Sequence, residues 1–188
     1  SPDGAGQTTA QTTDSTAMSR SVSLALKEMK EHIREITGAN LPVVAAGHNV
    51  QGPVILLGPS DALARYGVSA DRLRNDDWLI RSGKDFLAIV GRDVDREIAK
   101  ESAIGTYNGA IAFLEDHCGV RQYMPGKLGR IVPKTPTLQV PDDLNVSGSK
   151  SIVFGVARFM DPVTRTRWRG MPGVSLKSCG GHSWQVAL

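Results

Sequence analysis

The run GTYNGAIAFLEDHCGVRQYMPG, residues 105–126, constrains the fold more than any other part of the chain. Tyr107, Ile111, Leu114 and Cys118 are spaced by four, three and four residues, the repeat that puts apolar side chains on one face of a helix. Gly119 follows at the place where a helix ends in the left-handed conformation, which glycine adopts at no steric cost. VRQYMPG then reads as extended chain, with Pro125-Gly126 turning it. Gly109 sits inside the helix, where it costs about 1 kcal/mol relative to alanine. A close approach of the helix backbone to a sheet would account for it. The segment therefore reads as scaffold, with Tyr107, Ile111, Leu114 and Cys118 fixing a helix to a sheet.

A second helix is written just as clearly. Val22, Leu26, Met29, Ile33 and Ile36 alternate steps of four and three, and Lys27, Glu28, Lys30, Glu31 and Arg34 lie away from that stripe. Ser19 is placed to cap the first turn and Gly38 to end the last. His32 falls at the boundary of the stripe, and His48 falls in a turn. Strand-like apolar runs follow: LPVVAA (41–46), PVILLG (53–58) and a hairpin, WLIRSG and DFLAIVG, closing at Ser82-Gly83-Lys84. The run from Phe86 to Val90 is apolar throughout, as in a central strand covered on both faces. SDALARYG (60–67) reads as a short capped helix stopped by Gly67, and IVPK, TLQVP and SIVFGVARF supply further strand candidates. The fold class is α/β (α+β), with two helices lying on one sheet.

The 188 residues suit one domain with tails. Residues 1–18, small and polar without hydrophobic period, read as disordered linker. Residues 19–160 hold the domain, and 161–188 an irregular tail. The formal charge of +3 is spread along the chain, with only TRTRWRG as a local basic run, so no nucleic-acid footprint is expected. No apolar run approaches the ~20 residues of a membrane helix, so no membrane partner is expected either. Cys118 and Cys179 do not amount to a disulfide framework. The chain starts at Ser1 without methionine, which fits removal of a signal peptide or an expression boundary.

Motifs that could carry chemistry are sparse. PVILLGPSDALARYG has the strand–glycine–helix order of a nucleotide-binding turn but neither glycine-rich signature, and Pro59 removes a backbone donor. Cys179 and His182 are spaced like a metal pair, yet zinc needs three or four ligands and no second pair is present. The same two residues could form a Cys/His hydrolase pair, though Gly180-Gly181 gives them no rigid orientation. Neither a metal nor a cofactor is expected. The acidic pairs Asp76-Asp77 and Asp142-Asp143 lie in turn-like sequence and receive no role. Arg121 and Tyr123 alternate along extended chain and so leave one sheet face together. A planar cation beside an aromatic ring suits a sugar hydroxyl or carboxylate, while an Arg–carboxylate pair with a packed tyrosine is the purely structural alternative.

Several segments, taken in order, resemble a known family: LKEMKEHIREITGANLPVV (26–44), VILLGPS, the hairpin ending DFLAIVGRD, and GTYNGAIAFLEDHCGVRQYMPGKLGRIVP (105–133). The chain resembles the N-terminal accessory domain of large glycoside hydrolases, among them α-glucuronidases, bacterial β-N-acetylhexosaminidases (whose domain 2 it is similar to) and proteins carrying the DUF4838 domain. The last group matches best, since TPTLQVP is followed by an Arg158-Phe159 strand and later by GGHSW. The most specific element is Gly105, Tyr107, Gly109, Phe113, Leu114 and Glu115, then Gly119, Val120, Arg121, Pro125 and Gly126. Where the family usually has tryptophan after that arginine, this chain has Gln122.

The resemblance implies a mixed, largely antiparallel sheet with two main helices packed on one face. It also implies a secreted or periplasmic, non-catalytic domain that packs against a (β/α)8 barrel in cis. The barrel carries the catalytic carboxylates, so no catalytic residue is expected in this chain. Polysaccharide or oligosaccharide is the implied substrate. Arg121, Tyr123, Arg158, His182 and Trp184 are the residues that could be lent to a sugar-binding rim, with Gly181–Trp184 matching the start of the barrel's first strand. A stand-alone carbohydrate-binding module remains the alternative, with Trp78, Trp168 or Trp184 as its aromatic platform.

Overall fold

A computed structural model describes residues 9–12, 18–45, 48, 50–94, 103–123 and 127–149. Its centre is a six-stranded mixed sheet, built from β1 (Thr9–Thr12), β2 (Val43–Ala45), β3 (Val54–Leu57), β4 (Trp78–Gly83), β5 (Phe86–Gly91) and β10 (Asn145–Gly148) in the order β10-β4-β5-β3-β1-β2. β3, β1 and β2 are parallel to one another and to β5, while β4 is antiparallel to both its neighbours. Two short antiparallel ribbons complete the strands: β6 (Asp93–Val94) with β7 (Ala103–Ile104), and β8 (Arg121–Gln122) with β9 (Arg130–Ile131). Of the seven described pairings, four are antiparallel.

The helices form as their spacing predicts. In α1 (Arg20–Thr37) the Ser19 side chain accepts from the Val22 amide at 3.2 Å, and Gly38 takes the left-handed conformation at φ 81° while donating to the Arg34 carbonyl. α2 (Gly105–Asp116) buries Tyr107, Ile111 and Leu114, with Cys118 buried just beyond its end. It is in fact buried all round from Gly105 to Leu114. A helix apolar on every side needs cover on every side. Beneath it lie Ile80 and Ile89 of the sheet, beside it Met29 and Ile33 of α1, and packed against the same core are Val120, Val132, Leu138 and Val140 of the chain that returns after it. Gly109 lies close over the sheet: a Cβ there would stand 3.0 Å from Ile89 Cγ2 and 3.1 Å from Trp78 Cβ.

The other face of the sheet carries Val54, Leu56, Ala88 and Val90, which pack against Ala62, Leu63 and Val68. β5 is thus covered on both sides, as its unbroken apolar run predicts. Residues 61–66 form a 3-10 helix rather than an α-helix, and the Ser60 side chain makes no capping bond, although Gly67 does end the turn at φ 64°. Gly58, at φ 80°, faces Val22 so closely that a Cβ would overlap it. The strand–glycine–helix order therefore serves packing between sheet and α1.

Three expectations need correction. Residues 9–12 are not linker: they form β1, between β3 and β2, where backbone hydrogen bonds on both edges hold a polar segment that hydropathy alone would dismiss. The hairpin turns at Lys84-Asp85, with Gly83 still paired to Phe86. TLQVP is not a strand. It runs as a strap whose Leu138 and Val140 pack on the core, and the Pro141 carbonyl accepts from Ser82 Oγ. SIVFGVARF, residues 151–159, lies outside the described residues.

Candidate functional site

The β8–β9 ribbon carries Arg121 and Tyr123, the two described residues of the sugar-binding set. Gly119, at φ 71°, swings the chain off the end of α2, and the Val120 amide reaches back to the Leu114 carbonyl at 2.9 Å. A Cβ on Gly119 would stand 3.1 Å from Pro133 Cγ, so the return strand passes close by. Arg121 pairs across the ribbon with Ile131, and Gln122 with Arg130. The Tyr123 amide donates to the Gly129 carbonyl at 2.7 Å.

Pleating divides the ribbon into two faces. Gln122 and Arg130 turn inward. Arg130 makes an ion pair with Glu35 of α1, Lys134 donates to the Glu35 carbonyl, and the Thr135 amide donates to the Ile36 carbonyl at 3.0 Å. These contacts fasten the ribbon to the C-terminal end of α1. Arg121, Tyr123 and Ile131 turn outward. The Arg121 guanidinium folds back on the carbonyls of Glu115 and Val120. At Glu115 it serves one of the carbonyls that the end of a helix leaves without intrahelical partners. Tyr123 is 67% exposed. Tyr123 is therefore not the packed tyrosine of the structural alternative, and Arg121 donates to backbone carbonyls.

Beneath the ribbon, a cavity of about 20 Å³ lies between α1 and α2, lined by Glu28, His32, Glu115 and Gln122 together with Ile111, Leu114 and Val120. That is room for one water molecule. Glu28 and His32 are both buried, which corrects their placement away from and at the boundary of the stripe. Their i,i+4 spacing explains the change: His32 Nδ1 lies 2.9 Å from the Glu28 carbonyl and 3.5 Å from its Oε2, so two polar side chains enter the interface as a pair.

The opposite end of α2 is built from acids. The Ile104 amide donates to Asp76 Oδ1 (2.8 Å), the Thr106 amide to Asp93 Oδ1 (2.9 Å), and the Tyr107 amide to Ser21 Oγ (3.1 Å). Thr106 Oγ1 donates to Asp93 Oδ2 at 2.7 Å and accepts from the Gly91 amide at 3.0 Å. Carboxylates at a helix N-terminus satisfy orphan donors and oppose the dipole. Asp76 is thus a cap delivered from a distant loop, at φ 66°, and not a solvated turn residue. Asp77 accepts from the Arg74 amide at 2.9 Å. Burial pushes the Asp93 carboxyl above its usual 3.8, against the lowering effect of its hydrogen bonds to Thr106 and Ser21. Beside this end runs an open polar groove of about 650 Å³, with Asp71, Arg74, Asp77 and Arg92 along it.

Burial pushes the Cys118 thiol up to about 12, which leaves it protonated and inert at neutral pH. Arg158, His182 and Trp184 lie outside the described residues, as do Cys179 and Trp168. Trp78 opens β4 half-buried, its ring against Gly148. Among the described residues no three His, Cys, Asp or Glu side chains are grouped to hold a metal ion, and no helix is long and apolar enough to cross a membrane. Leu128 and Ile131, both exposed, are surface residues that sequence periodicity did not single out.

With this architecture in view, the fold is of a class that glycoside hydrolases contain. A family GH115 4-O-methyl-α-glucuronidase with specificity for decorated arabinogalactans matches 79% of this chain with a TM-score of 0.50 at 10% identity. The GH20 β-N-acetylhexosaminidase from Streptomyces coelicolor A3(2) also matches 79%, with a TM-score of 0.46 at 15% identity. The matches span 18% and 24% of those enzymes' lengths. No protein-family model matches the chain, and no curated protein sequence matches it.

Proposed function

We propose that this chain is a non-catalytic accessory domain of a carbohydrate-active enzyme, a glycoside hydrolase of the DUF4838-bearing kind. It would support a (β/α)8 catalytic barrel in cis and act outside the cytoplasm, in a secreted or periplasmic protein. The observation that carries the reading is the fold likeness to the α-glucuronidase, which takes in 79% of this chain and only 18% of that enzyme. The site chemistry supports it. The carboxylates at the entry to α2 are spent as helix caps, and the buried cysteine is inert. In this role Arg121 and Tyr123 stand where the domain meets the barrel, at the margin of its sugar-binding rim, with Arg158, His182 and Trp184 from the C-terminal segment.

The test is the coding frame beyond Leu188 together with the intact mass of the native polypeptide. A downstream stretch of roughly 250 residues with barrel periodicity is expected, and hydrolysis of aryl glycosides should require it. Glycosidase turnover by the 188-residue chain alone would overturn the reading. The exposure of Tyr123 favours a second reading, a module that binds glycans by itself. Titration of the isolated chain with oligosaccharides tests it, and loss of binding in Tyr123→Ala would be its signature.

A further inference from the structure

The described residues leave six large apolar side chains exposed, and three of them, Tyr123, Leu128 and Ile131, belong to one ribbon. Leu128 is 98% exposed and Ile131 52%. Cross-strand pairing and pleating put Tyr123 and Ile131 on the ribbon's outer face, with Leu128 in the short 3-10 turn (Lys127–Gly129) between them. Leucine and isoleucine offer nothing to a sugar hydroxyl, and an apolar cluster of this kind marks a protein-binding surface.

Its charge selects the partner. Between Asp116 and Asp142 the sequence has no carboxylate and four cations, Arg121, Lys127, Arg130 and Lys134. Glu35 pairs with Arg130. Arg121 rests on carbonyl groups, which leave its charge uncompensated. Arg130 and Lys134 are taken up on the inner side by Glu35, so the outer face is apolar at its centre with the Arg121 cation beside it, and its complement is apolar with an acidic rim. The inner face is already fastened to α1 through Glu35 and Ile36, so the outer face is held rigidly for docking.

We infer that the outer face of the β8–β9 ribbon is the surface by which this domain seats on the catalytic domain of its own polypeptide, at a patch that is apolar in the middle and acidic at the edge. The inference rests on the accessory-domain reading. The fold's use as a small fraction of a larger enzyme supplies the occupant, and the ribbon supplies the place.

The experiment uses the full natural polypeptide with the photo-cross-linking residue p-benzoylphenylalanine in place of Leu128 or, as a control on the exposed face of α1, of Lys30. Illumination should give an adduct at monomer mass from position 128, mapping to a peptide of the catalytic domain. Adducts at dimer mass only, adducts from position 30 alone, or none from either would overturn the docking surface while leaving the accessory-domain reading intact. A coding frame without a catalytic domain would remove both at once, which distinguishes the two failures.

A second arm tests the charge. Leu128→Asp and Leu128→Lys should leave the melting of the isolated 188-residue chain unchanged, since the side chain is almost fully exposed. In the full polypeptide, Leu128→Asp should speed proteolysis at the domain junction about tenfold or more, because it sets like charges together, and Leu128→Lys should do far less. Equal effects would overturn the acidic rim.

Discussion

Gly91→Ala is the sharpest single test of the packing described above. Gly91 ends β5, and a Cβ there would fall on the backbone of Gly105 and Thr106, where α2 begins. Gly105 is hemmed in from its own side, with a Cβ reaching to 2.7 Å from the Arg92 amide nitrogen. Backbone cannot swing aside as a side-chain end does, so the methyl group must lift the first turn of α2 from the sheet. Overpacking of this kind costs about 1–3 kcal/mol. The lift also strains the bond from the Gly91 amide to Thr106 Oγ1 and the two from Thr106 to Asp93, each worth about 1 kcal/mol. A total of up to about 4–6 kcal/mol follows, a large share of the ~5–15 kcal/mol that holds a domain together. Chemical denaturation followed by circular dichroism reads it directly. Gly67→Ala is the control: its left-handed φ of 64° is strained for alanine, but nothing lies within 4 Å, so only about 1–2 kcal/mol should be lost. If the two variants melt alike, close backbone contact is not what fixes α2, and the reasoning fails.

Leu114→Ala, at a site 1% exposed, should cost about 2–5 kcal/mol, and an unchanged denaturation midpoint would contradict its place in the core. Asp93 has a raised folded pKa, so its contribution to stability is present in full below the usual 3.8 and is lost as pH rises through the folded value. The stability of the wild type relative to Asp93→Asn should therefore fall as pH rises from below 3.8 through the folded value; a difference that grows with pH would refute the burial argument. With Cys179→Ser leaving Cys118 as the sole thiol, a disulfide reagent at about pH 8 should label the folded protein only as fast as it opens. Labelling at the rate of the unfolded chain would show the thiol to be accessible.

Both helices were legible because their evidence is local. Ser19, Gly38 and the two apolar stripes fix α1 and α2 without knowledge of the rest. Strand β1 was not legible, because Thr9–Thr12 has no apolar pattern and owes its place to hydrogen bonds with β2 and β3, which are remote in sequence. The role of Asp76 was hidden for the same reason: a turn aspartate reads as solvated until the amide of Ile104 is seen to meet it. Glu28 and His32 look polar one at a time and are buried only as a pair. On the ribbon, Arg121 and Tyr123 stood out by residue type. Leu128 and Ile131 did not, since an exposed leucine and a core leucine are spelled alike.

The position of β1 bears on how the molecule must be handled. A fragment trimmed to start at Ser19, the boundary that hydropathy suggests, would lose the strand joining β2 to the rest of the sheet. The edge of β3, whose four residues are all buried, would then be open along its length. An uncovered apolar edge recruits strands from neighbouring molecules. Such a fragment should keep its helices and still precipitate, while a chain that retains Thr9–Thr12 should stay dispersed. Four unassuming residues would thus decide whether the domain stays dispersed or aggregates.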